Sequence, residues 1–155
     1  MRSIRLISVK EKEIARKMLN EYLTELSAFD DNIVFDDKGV PVYKWYDPYY
    51  FTDTDRSAFF LIVDGKQAGL CFIRQMKDDE FDIAEFYVKP TYRKDGNALY
   101  FASEVISLFN GNITFSTRHK NVRGIKFWSK VALLFESSSY SDDEVWRNFI
   151  VYKKW

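Results

Sequence analysis

Three apolar, extended segments follow one another with almost no chain between them, and nothing else in the sequence restricts the fold as much. SAFFLIV at 57–63 and KQAGLCFIRQM at 66–76 are separated only by Asp64-Gly65, and EFDIAEFYV at 80–88 lies across a second short turn at 77–80. Aspartate followed by glycine accepts the positive φ angles of a two-residue hairpin turn, so the first two segments form a hairpin and the third adds to it.

The rest of the chain supplies one alternating series of elements. SIRLIS at 3–8 reads as a first strand, and the following segment carries Ile14, Ala15, Met18, Leu19, Tyr22, Leu23 and Leu26 at the spacing of one helix face. Residues 30–56 are irregular, with Asp36-Asp37-Lys38-Gly39 and Pro41 ahead of the aromatic cluster YKWYDPYYF at 43–51. A helix over 96–110, a strand NITFST, a second helix near 121–136 and a closing strand WRNFIVYKK complete the order. There is no repeat, linker or low-complexity tract, so residues 1–155 are expected to form one domain with strands and helices mixed.

Composition narrows the function. Lys plus Arg total 23 and Asp plus Glu total 23, so no global charge draws the chain to nucleic acid or to an anionic membrane; any anion site is local. The longest apolar runs are too short to span a bilayer, and the start lacks the apolar stretch of a secretion signal, so a cytoplasmic protein is expected. The single cysteine, Cys71, and the single histidine, His119, make neither an internal disulfide nor a structural zinc site, and no metal is expected. Cys71 lies in an apolar strand and reads as core.

The segment EFYVKPTYRKDGNALYF at 85–101 leaves a strand, breaks at Pro90 and resumes as a helix after Gly96. By itself it is either an ordinary connection or a cradle for an anion. Within it Arg93-Lys94-Asp95-Gly96-Asn97-Ala98 resembles the cofactor signature of the GCN5-related N-acetyltransferases (GNAT): Arg or Gln, two variable residues, Gly, one variable residue, and Gly or Ala, opening a helix. NVRGIKFWSKVA at 121–132 resembles a second element of that family, matching it at Asn121, Phe127 and Lys130. The resemblance implies a central, mostly antiparallel mixed sheet of about six to seven strands flanked by helices, an α/β fold of mixed α+β type.

It also implies a ligand, acetyl-CoA, with coenzyme A as product. A helix N-terminus exposes unpartnered N–H groups and a partial positive charge, so the loop would bind a pyrophosphate through its main chain. Gly96 would let the backbone approach, Ala98 keeps the next position small, and Arg93 and Lys94 would supply positive charge. Asp95 departs from the family's usual cation, and Asn97, in place of an aliphatic residue, either loosens the first turn or caps it. Competing phosphate loops fit worse, since no Gly-x-Gly-x-x-Gly and no Gly-Lys-Ser or Gly-Lys-Thr occurs.

The implied reaction is acetyl transfer to a primary amine of a small molecule or peptide, by a monomer or homodimer. The strand end Phe86, Tyr87 and Val88 would present a backbone N–H to the thioester carbonyl, and Asn121 would bond the cofactor's arm. Glu85 is the preferred base and Asp82 the alternative; three residues apart on one strand, they face opposite ways unless a bulge intervenes. His119 is a further candidate base. Trp128 stands where many members carry a tyrosine acid; its ring is expected to pack the pantetheine arm, and Tyr140 is a remote alternative acid. Tyr46, Tyr49 and Tyr50 fall where the family builds its acceptor pocket, with Asp47, Asp53 and Asp55 nearby. The alternative to an enzyme is a non-catalytic CoA-binding or protein-interaction module on the same fold.

Overall fold

The computed structural model describes residues 1–44, 46 and 51–152. Its sheet has seven strands in the order β1-β2-β3-β4-β5-β7-β6: β1 (Arg2–Leu6), β2 (Arg56–Val63), β3 (Lys66–Lys77), β4 (Glu80–Val88), β5 (Asn112–Arg118), β6 (Ser137–Asp142) and β7 (Trp146–Tyr152). Among the described residues, three α-helices of known extent cover it: α1 (Lys12–Leu26), α2 (Asn97–Ser107) and α3 (Val122–Ala132). All pairings are antiparallel except that of β4 with β5.

The Asp64-Gly65 turn forms as expected, with φ of 48° and 82°, the left-handed pair that matches the twist of a two-residue hairpin. Strand β2 is apolar on both faces because both are covered. Phe59 and Leu61 pack with Phe101, Val105, Phe115 and Val131 under α2 and α3, while Ala58 and Phe60 pack with Met18, Leu19 and Leu70 under α1. Strand β5 alternates instead: Ile113 and Phe115 are buried beneath α2 and α3, and Thr114, Ser116 and Arg118 turn a polar row to the α1 side.

β6 is the strand that the sequence hides. Ser137–Asp142 is exposed at every position, an edge strand with no buried face and hence no apolar alternation to announce it. Among the described residues no helix is long and apolar enough to cross a membrane.

Two irregularities in β4 create the central feature. Phe72 of β3 pairs with Glu85, but the next residue, Ile73, pairs with Ile83, which leaves Ala84 bulged out of register. On its other edge β4 pairs with β5 over only three residues, Glu80, Phe81 and Asp82 opposite Asn112, Ile113 and Thr114. A bulge bends and over-twists its strand, and this one lies immediately past the last β5 pair, so the strands diverge from there.

Candidate active site

Divergence of β4 from β5 opens two spaces. A cavity of about 1000 Å³ lies over the α1 side of the sheet, lined by Asp30, Tyr43, Lys44, Arg56, Arg74, Asp82, Glu85 and the β5 and β7 polar row. A groove of about 770 Å³ runs between the end of α1 and the N-termini of α2 and α3, lined by Tyr22, Phe86, Tyr87, Val88, the loop from Arg93 to Ala98, Asn121 and Trp128. Leu26 borders both.

The Ala84 bulge reverses the sequence expectation for the two acids. With one extra residue between them, Asp82 and Glu85 point to the same face and into the same cavity. Their surroundings differ. Asp82 accepts from Arg74 Nε at 3.2 Å and from the Thr114 hydroxyl at 2.7 Å, so its carboxylate is already engaged. Glu85 is half-buried, and burial, reinforced by the like charges of Asp82 and Asp30, pushes its carboxyl up to about 8 despite Arg74. The Tyr22 hydroxyl of α1 lies within hydrogen-bonding reach of the Glu85 carboxyl and of the Phe86 backbone N–H.

The loop is held by side chains from distant parts of the chain. Asp95 and Gly96 both adopt left-handed backbone, φ 57° and 70°, before α2 starts at Asn97. Asn97 does not loosen that turn: it is 5% exposed, donates to the Tyr92 carbonyl at 3.0 Å and accepts from Arg2 at 3.1 Å, and the same Arg2 nitrogen donates to the Asp95 carbonyl at 2.7 Å. Arg93 is not a loose cation. It donates to the Val88 carbonyl at 2.7 Å and grips Glu25 of α1 through both terminal nitrogens at 2.8 Å, tying the strand end to the helix. Positive charge along the groove therefore comes chiefly from Lys94 and from Arg123, Lys126 and Lys130 of α3.

Asn121 caps α3, its Oδ1 accepting from Gly124 N–H at 2.9 Å. Glycine is required at 124 by space: a Cβ there would lie 2.6 Å from the Thr117 hydroxyl and 2.7 Å from Asn121 Nδ2. Trp128 is 8% exposed and fills the wedge between the diverging strands, 4.4 Å from Phe115 and 5.1 Å from Phe86 by ring centroids, so it is chiefly core and only edges the groove. Cys71 is buried, as expected, and its thiol is pushed up by burial.

Several expected site residues fall elsewhere. Tyr46 is buried, with its hydroxyl donating to the Lys12 carbonyl and its ring against Phe51 and Phe72; Tyr43 and Lys44 take the place at the cavity that it was expected to hold. Tyr49, Tyr50 and Asp47 lie outside the described residues. Asp53 faces Arg56 at 3.9 Å. His119 contacts the Asp143 carbonyl at 3.0 Å and Tyr140 is 60% exposed on β6; neither lines the cavity or the groove. Tyr22, Arg74 and Asp30 were not anticipated. Tyr22 sits inside the apolar stripe of α1, where its ring reads as core and only its hydroxyl distinguishes it.

A sheet of this order, a parallel pair that parts at a bulge, and a helix N-terminus beside the opening together decide the fold. The fold is that of the GCN5-related N-acetyltransferases. The Escherichia coli ribosomal-protein-S18-alanine N-acetyltransferase superposes with a TM-score of 0.69 over 100% of this chain and 96% of its own, at 12% identity. A spermidine N-acetyltransferase from Vibrio cholerae, in complex with CoA and spermine, gives 0.71 over 98% and 95%, at 9% identity. An acetyltransferase from Thermus thermophilus gives 0.74 over 98% and 97%, at 9% identity. No protein-family model and no curated protein sequence matches the chain. The GNAT likeness is thus carried by architecture, with almost no shared sequence.

Proposed function

We propose that this chain is an N-acetyltransferase that moves the acetyl group of acetyl-CoA to a primary amine of a small molecule or peptide. The observation that carries the reading is that the polar cavity and the cation-lined groove meet where β4 leaves β5, with Glu85 at the cavity side of the junction.

Coenzyme A fits the residues present. The left-handed pair Asp95 and Gly96 turns the loop around the start of α2, whose first-turn N–H groups have no intrahelical acceptors. A Cβ on Gly96 would meet only Arg2, at 4.0 Å, so the space outside the loop is open for a phosphate. Lys94, Gly96, Asn97 and Ala98 would hold the pyrophosphate, with Asp95 contributing its main chain; Asn121 and the edge of Trp128 would flank the arm, and Phe86, Tyr87 and Val88 would lie along the thioester. When bound, the donor supplies an activated acetyl carbon.

The protein's own groups do the rest. Glu85, as carboxylate, accepts the proton that an attacking amine must lose, and a carboxyl titrating near 8 is matched to that task at neutral pH. Asp82, locked by Arg74 and Thr114, positions the Arg74 guanidinium and shapes the cavity wall. A β4 backbone N–H beyond the last β5 pair would supply a fixed dipole for the developing oxyanion. The cavity carries carboxylates and cations together, which suits a polar amine.

The test is thiol release from acetyl-CoA across a panel of primary amines and amine-bearing peptides. Amine-dependent release is expected. Tight binding of acetyl-CoA with no release from any amine would overturn the enzyme reading in favour of a CoA-binding module.

A further inference from the structure

Resting on the coenzyme A reading of the groove, we propose that Arg2 of β1 is a positioning residue for the diphosphate, holding the loop before α2 so that its Gly96 N–H faces the ligand. The loop's own arginine is not available for that part, because Arg93 is taken up by the Val88 carbonyl and Glu25. Arg2 reaches the loop from 93 residues away. One of its terminal nitrogens donates to the Asp95 carbonyl at 2.7 Å and to Asn97 Oδ1 at 3.1 Å. Its guanidinium lies 4.4 Å over the Tyr100 ring, and the Tyr100 hydroxyl donates back to the Arg2 carbonyl at 3.3 Å. Asp95, Asn97 and Tyr100 are thereby fastened to the edge of the sheet.

Peptide geometry turns that fastening into a binding device. The Asp95 carbonyl and the Gly96 N–H belong to one planar trans unit and point opposite ways. With the oxygen drawn to Arg2, the N–H points to the other side of the loop, toward the groove, which Gly96 lines and Arg2 does not. Among the described residues that N–H makes no hydrogen bond, so it can serve an acceptor in the groove. A charged donor on the carbonyl also polarises the peptide and strengthens its N–H as a donor. The hold has something to oppose: Asp95 keeps φ at 57°, a conformation unfavourable for a residue with a Cβ. Asn97 completes the frame, its Oδ1 accepting from Arg2 while its Nδ2 donates to the Tyr92 carbonyl at 3.0 Å, so both ends of the loop are tied. Arg2 therefore acts on the phosphates and not on the pantetheine arm, which the groove would take beside Asn121 and Trp128.

Binding tests the assignment without any need for turnover. Arg2→Met removes the donor and the charge but keeps an apolar stem over Tyr100, and its dissociation constant for coenzyme A, measured by calorimetry, should rise about tenfold. Pantetheine, which carries no phosphate, separates positioning from general damage: in NMR titrations it should bind the wild type and Arg2→Met within about twofold of each other. Arg2→Lys, which keeps a charged donor, should recover most of the lost coenzyme A affinity. A further readout needs no variant, since the Gly96 amide resonance of the wild type should move downfield as coenzyme A is added. An unchanged dissociation constant in Arg2→Met, or a Gly96 resonance that stays still while coenzyme A binds, overturns the role of Arg2 and leaves the cofactor reading standing. Equal weakening of pantetheine also overturns it, making Arg2 a general brace of the fold. A wild type that binds no coenzyme A sinks the cofactor reading, and this assignment with it.

Discussion

Asp82 and Glu85 share one face of β4 because Ala84 is bulged between them, and they differ in surroundings: Asp82 is held by Arg74, while burial raises the proton affinity of Glu85. That asymmetry gives the protein a pH signature. A carboxyl raised from 4.5 to about 8 on folding keeps its proton in the native state while the unfolded chain loses it, so stability falls as pH rises from 4.5 to 8 and levels off above. The groups facing Glu85, namely Tyr22, Asp82, Arg74 and Asp30, stay in place in Glu85→Gln. Melting temperatures of the two proteins should therefore coincide near pH 4 and separate toward pH 8 with Glu85→Gln the higher. Parallel curves would contradict the burial of this charge.

Acetyl-CoA is expected to raise the melting temperature; Gly96→Val should abolish that rise and should itself cost about 1–2 kcal/mol, since φ of 70° is unfavourable for any residue with a Cβ and worst for a branched one. Thermal unfolding with and without ligand separates the two effects. A valine variant that still responds to ligand would remove the loop from the binding site.

The fold was readable from the sequence where its causes are local. Asp64-Gly65 dictates its turn, the α1 stripe its buried face, and the Gly96 loop its helix start. What stayed hidden depends on distant partners. The Ala84 bulge carries no glycine or proline and exists only through its register against Phe72 and Ile73. Arg93 meets Glu25, 68 residues away, and so gives its charge to a brace rather than to a ligand. Tyr46, in a stretch rich in tyrosine, is turned inward by the Lys12 carbonyl, which no pattern along the chain discloses.

Asn121→Ala should do two things. Loss of the cap on Gly124 should destabilise the fold by about 1 kcal/mol, measurable by denaturant titration. If Asn121 Nδ2 also bonds the cofactor arm, the dissociation constant for acetyl-CoA should rise about fivefold, equivalent to one hydrogen bond of about 1 kcal/mol. An unchanged dissociation constant would leave Asn121 as a cap alone.

Trp128→Phe should cost stability more than turnover. The indole is wedged between Phe86 and Phe115, so a smaller ring leaves a void worth about 1–3 kcal/mol, while the missing N–H is no acid to begin with. A large fall in turnover at unchanged stability would give Trp128 a chemical role that its position does not suggest.

The most direct test of the account is the pH profile of amine-dependent thiol release for the wild type, Glu85→Gln and Asp82→Asn, with an amine acidic enough to be neutral throughout. The wild-type rate should climb to a plateau through a midpoint near 8 as Glu85 ionises. Glu85→Gln should be slower by about a hundredfold or more near neutral pH and lack that inflection, and Asp82→Asn should keep it. Full activity in Glu85→Gln from pH 6 to 9 would contradict the account.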